Sequence, residues 1–75
     1  MMNEMWIVKD ANRGQIFGYN DREPAIKLAQ MMKDYYIERG WRAEAEYVTV
    51  RLIICNRIPQ QDFELWSWGE PCREE

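Results

Sequence analysis

The stretch NDREPAIKLAQMMKDYYIERGW, residues 20–41, decides the fold, because it holds the start, the stripe and the stop of one helix. Asn20 or Asp21 can cap its first turn, and Asp21 and Glu23 put negative charge at its positive end. Pro24 suits that turn, where a missing N–H goes unused. Ala25, Leu28, Ala29, Met32, Tyr35 and Tyr36 recur at helical spacing and make one apolar stripe. Lys27, Gln30, Asp34 and Glu38 form the opposite, wet face. Gly40 accepts the left-handed conformation that ends a helix, and Trp41 just beyond can pack back on Tyr36. Met31 lies at the edge of the stripe, and Ile26 and Ile37 widen the apolar arc beyond what one sheet face needs.

A helix with one apolar stripe needs a second layer, and strands on either side supply it. Met5–Lys9 alternates as a strand, with Trp6 and Val8 on one face and Met5 and Ile7 on the other. Asp10-Ala11-Asn12-Arg13-Gly14 reads as a hairpin turn, since Asn12 and Gly14 tolerate positive φ. Gln15–Tyr19 is the returning strand. Arg42–Cys55 reads as one long strand whose apolar parity changes midway. Ala43, Ala45 and Tyr47 share one face, while Val48, Val50, Leu52 and Ile54 share the other. A bulge near Tyr47 or a second half buried on both sides would reconcile them. Phe63–Trp68, after the break at Asn56–Pro59, reads as a fourth strand or a short helix. The expected fold is therefore α+β: a small antiparallel sheet in β-β-α-β order, with a fourth strand and one amphipathic helix on one face. Residues 1–75 make a single domain, and residues 69–75 a frayed acidic tail.

Composition agrees with a folded domain: apolar residues are 47%, charged residues 31%, and aromatics 13% of 75 residues. Net charge is −3, which argues against a protein that coats nucleic acid. Residues 1–61 hold nine basic and eight acidic side chains, and the excess of acid is confined to residues 62–75. The start Met1-Met2-Asn3-Glu4 has no basic region or long apolar run, so a cytoplasmic location is expected, with Cys55 and Cys72 as free thiols.

Catalytic chemistry is hard to build from these residues. There is no histidine, one serine (Ser67), one threonine (Thr49), and the four glycines are scattered. Glu44 and Glu46, two apart on the expected strand, would share a face about 7 Å apart. A solvated strand face explains them better than a catalytic or cation-binding pair. No catalytic residue, metal site or cofactor is expected.

Binding is the remaining class. Trp66 and Trp68 would point the same way from a strand, and Trp is the residue most enriched at interface hot spots. Met31 lies at the edge of the helix stripe with Tyr35 one turn on, and Glu64 and Glu70 would meet a basic surface on a partner. These six residues form the expected protein-binding surface. The alternative is an arginine–aromatic patch for nucleic acid built from Arg39, Arg42, Arg51, Arg57 and Tyr47. An exposed edge, Met5–Lys9 or Phe63–Trp68, could also pair with a second copy. The sequence thus describes a non-catalytic module that works by surface contact. Many small inhibitors, adaptors and regulators are of this kind, including those that bacterial viruses encode to block complexes that handle nucleic acid.

Overall fold

A computed structural model describes residues 3–55 and 63–66. The elements in chain order are β1 (Asn3–Asp10), β2 (Gln15–Tyr19), α1 (Arg22–Glu38), α2 (Arg42–Ala45), β3 (Val48–Cys55) and β4 (Phe63–Trp66). The strands form one antiparallel sheet in the order β3-β1-β2-β4. α1 packs on one face, giving the expected small α+β architecture.

The β1–β2 hairpin closes at Asp10 and Gln15, and its register sets Trp6 opposite Tyr19 and Val8 opposite Phe17. Gly14 takes φ 66 in the turn, as a four-residue hairpin loop requires. The Asp10 carboxylate accepts the Asn12 N–H at 3.1 Å, which holds the first half of that turn. Val8, Ala25, Ala29, Tyr36, Ala45 and Val48 form the core between helix and sheet. Two alanines at the contact let the helix lie close to the strands. The other sheet face carries Met5, Ile7, Ile16 and Ile53, which are buried too. The central strand β1 is thus buried on both faces, which is why Met5–Val8 reads as a continuous apolar run, whereas Leu52 and Ile54 on the edge strand β3 stay exposed.

α1 stops as its sequence foretells. Gly40 has φ 78, its N–H bonds the Ile37 carbonyl at 2.9 Å, and the Trp41 N–H bonds the Tyr36 carbonyl at 2.8 Å. This is the Schellman pattern, and its usual apolar contact is the Trp41 ring at 6.2 Å from Tyr36. Asp21 occupies the N-cap position without a side-chain cap bond.

Two expectations are corrected. Arg42–Cys55 is not one strand: Arg42–Ala45 is a helical turn, and β3 starts at Val48. The change of parity is a change of element rather than a bulge. The Glu46 and Tyr47 N–H groups bond the Ala43 and Glu44 carbonyls, and Ala45 is buried in the core. Alanine and glutamate are good helix formers, so their alternation here was a coincidence of composition. Glu44 and Glu46 accordingly share no strand face. Second, Met5–Lys9 lies inside β1, which is central; β3 and β4 are the edges. Of the expected fourth strand, Phe63–Trp66 pairs with β2, setting Trp66 opposite Gln15 and Glu64 opposite Phe17. Ser67 and Trp68 fall outside the described residues.

Candidate functional site

The hairpin turn and the C-terminal half of α1 meet over a cleft of about 190 Å³. Leu28, Met31 and Met32 form one wall, Arg13 and Tyr35 the rim, and Asp10 and Tyr36 the floor. Helical spacing explains the wall: Leu28, Met31 and Tyr35 succeed one another at three and four residues, on the flank of α1 beside the buried stripe.

The floor is fixed by a buried hydrogen bond. The Tyr36 hydroxyl donates to the second Asp10 carboxylate oxygen at 2.7 Å, across 26 residues of sequence. Asp10 is 1% exposed and Tyr36 3%. Burial, then the bond to Asp10 and its charge, push the Tyr36 phenol above its ordinary value, so it stays a neutral donor through the physiological range. The turn itself is tied down from its other side. The Asn12 side-chain amide donates to the Glu44 carbonyl at 2.7 Å, and the Ala11 N–H to the Tyr47 carbonyl at 3.4 Å. Arg13 therefore projects from an anchored loop.

The rim is cationic and aromatic. The Arg39 guanidinium lies 3.5 Å from the Tyr35 ring centroid, and that of Arg13 lies 5.0 Å from Tyr35 and 5.9 Å from Tyr36. The two tyrosine rings meet edge to face at 5.5 Å. Arg39 also donates to the Tyr35 carbonyl at 3.3 Å, which suits a cation at a helix C-terminus. Among the described residues neither guanidinium forms an ion pair. Met31 is 68% exposed and Tyr35 37%, so the entrance is open.

The structure gathers some expected site residues and disperses others. Met31 and Tyr35 of the protein-binding set lie together at the cleft, whereas Trp66 and Glu64 are placed only by their register in β4, and Trp68 and Glu70 lie outside the described residues. Of the arginine set, Arg39 does not line the cleft itself but stacks on Tyr35, which does. Arg42 lines a separate hollow with Lys33, Ile37, Ala45 and Glu46, where charge is mixed. Arg51 alternates onto the sheet face opposite α1, opposite Ile7 in register. Tyr47 is exposed between α2 and β3, and Arg57 is outside the described residues. Arg13 was not anticipated. Its signal was an arginine placed between Asn12 and Gly14, where a tight turn presents a side chain outward. Among the described residues no helix is long and apolar enough to cross a membrane. The chain matches no protein-family model, no curated protein and no solved structure.

Proposed function

We propose that this protein is a non-catalytic binding module, an inhibitor, adaptor or regulator, that engages another protein through the cleft beside α1. One observation carries the reading: an exposed methionine and a cation-stacked tyrosine stand at the mouth of an apolar hollow whose floor is locked by Tyr36 and Asp10. Methionine adapts its shape to a partner at low cost, and tyrosine and arginine are enriched at interface hot spots. A folded floor under an open mouth means that docking needs little reordering of this chain.

Nucleic acid is the second reading, favoured by the two guanidiniums on one ring. It is weakened by the same geometry, because Arg39 already covers Tyr35 at 3.5 Å and leaves less ring surface for a base to stack on.

A photo-crosslinking residue at Met31 separates the two. In nuclease-treated lysate, one polypeptide should be captured from position 31 and not from Lys27 on the wet face. Capture should also vanish with Tyr35→Ala in a chain that keeps its circular dichroism. Capture that depends on untreated nucleic acid would replace the first reading with the second.

A further inference from the structure

We infer that the cleft takes an acidic peptide segment: one ring-sized apolar side chain enters between Leu28, Met31 and Met32, and a neighbouring carboxylate meets Arg13 and Arg39. This rests on the protein-binding reading and names the partner's chemistry.

Volume sets the first half. An apolar cavity of about 150 Å³ is enough to hold benzene. The cleft, at about 190 Å³, holds one phenyl or branched aliphatic side chain and not two. Its wall offers a leucine and two thioethers, which suit a ring, since sulfur contacts aromatic edges favourably. Nothing polar on that wall would reward an amide or a sugar.

Charge sets the second half. Arg13 and Arg39 approach the same ring from different elements, one from the anchored turn and one from the end of α1. Both side chains are exposed and, among the described residues, neither has an ion-pair partner; Arg39 spends one donor on the Tyr35 carbonyl. Stacking on Tyr35 restricts both guanidiniums before binding, so less side-chain freedom is lost when a carboxylate arrives. The Asp10 carboxylate on the floor attracts Arg13 through space, but its oxygens accept from the Asn12 N–H and the Tyr36 hydroxyl, and among the described residues it forms no ion pair with either arginine. A basic segment would instead meet two cations at the entrance. A nucleic-acid strand would present phosphates to the rim but no apolar group for the hollow, and the chain's net charge of −3 opposes it.

The probes are an acetylated Gly-Glu-Phe-Asp-Gly peptide, its neutral counterpart Gly-Gln-Phe-Asn-Gly, and a short single-stranded DNA, each titrated into the labelled full chain and followed by NMR. The acidic peptide should shift the Met31 and Met32 methyls and the Arg13 and Arg39 side-chain signals together. The neutral peptide should bind roughly tenfold more weakly, as should the acidic one to Arg13→Gln or Arg39→Gln, since a charge-assisted hydrogen bond is worth about that factor. Equal binding of both peptides at the cleft would overturn the acidic preference and leave a protein-docking cleft standing. Shifts confined to other surfaces, or no peptide shifts while DNA moves the two arginines, would overturn the inference and the binding reading together.

Discussion

Replacing Tyr36 with phenylalanine should cost far more than the loss of one exposed hydroxyl. Among the described residues no buried side-chain nitrogen or oxygen lacks a partner. Tyr36→Phe creates one, leaving the second oxygen of the buried Asp10 carboxylate bare while the first keeps the Asn12 N–H. A hydrogen bond to a charged group contributes about 1.5–3 kcal/mol, and an orphaned buried charge costs at least as much. Against a total stability of about 5–15 kcal/mol, with a domain this small near the lower end, that is a large fraction. Each 1 kcal/mol should lower Tm by roughly 4–8 °C in a domain of this size. Urea unfolding is the assay: the midpoint should fall with the slope unchanged, because the surface exposed on unfolding is the same. A double-mutant cycle with Asp10→Asn isolates the pair, and the two changes together should cost clearly less than their sum. A Tyr36→Phe loss below about 0.5 kcal/mol, within the range of an ordinary surface change, would refute the claim that this bond locks the cleft floor.

Three further outcomes follow from the same structure. Alkaline pH should destabilise the fold through Tyr36. Its folded pKa is raised, so its contribution is fully present below the unfolded value of about 10 and is lost as pH climbs through the folded one; Tyr36→Phe should flatten that part of a stability–pH curve. Gly40→Ala should cost about 1–2 kcal/mol from the left-handed backbone alone, since φ is 78 and none of the described residues lies within 4 Å of the added carbon; a neutral result in thermal unfolding would contradict the Schellman stop. Ala25→Leu, at a fully buried helix–sheet contact, should destabilise by about 1–3 kcal/mol through overpacking, read by the same urea titration.

What was legible from sequence was local. Asp21, Pro24, the apolar stripe and Gly40 all act within a few residues of themselves, so they announced α1 and its end. Gly14 did the same for the hairpin. Arg42–Tyr47 misled because period-two spacing of alanine between charged residues is also compatible with a helical turn, and only the tertiary contact of Ala45 with the core chooses between them. The cleft was half visible. Met31 stood out at the edge of the stripe with Tyr35 one turn on, although Tyr35 read as part of the stripe itself. Asp10 read as a turn residue, yet it sits at the same strand parity as Trp6 and Val8, which marks it as facing the core. Its partner Tyr36 lies 26 residues away, and no local rule connects them. Arg13 reached the site the same way, carried by the docking of the hairpin turn onto the helix end.

The claim that a protein partner docks at the cleft is tested most directly by cross-saturation NMR on the complex with the captured polypeptide. Irradiating the partner should attenuate the methyl signals of Leu28, Met31 and Met32 and leave Leu52 and Ile54, which are also exposed but lie on β3, at full intensity. Attenuation of Leu52 and Ile54 with the methionines untouched would place the interface on the edge strand and contradict the account.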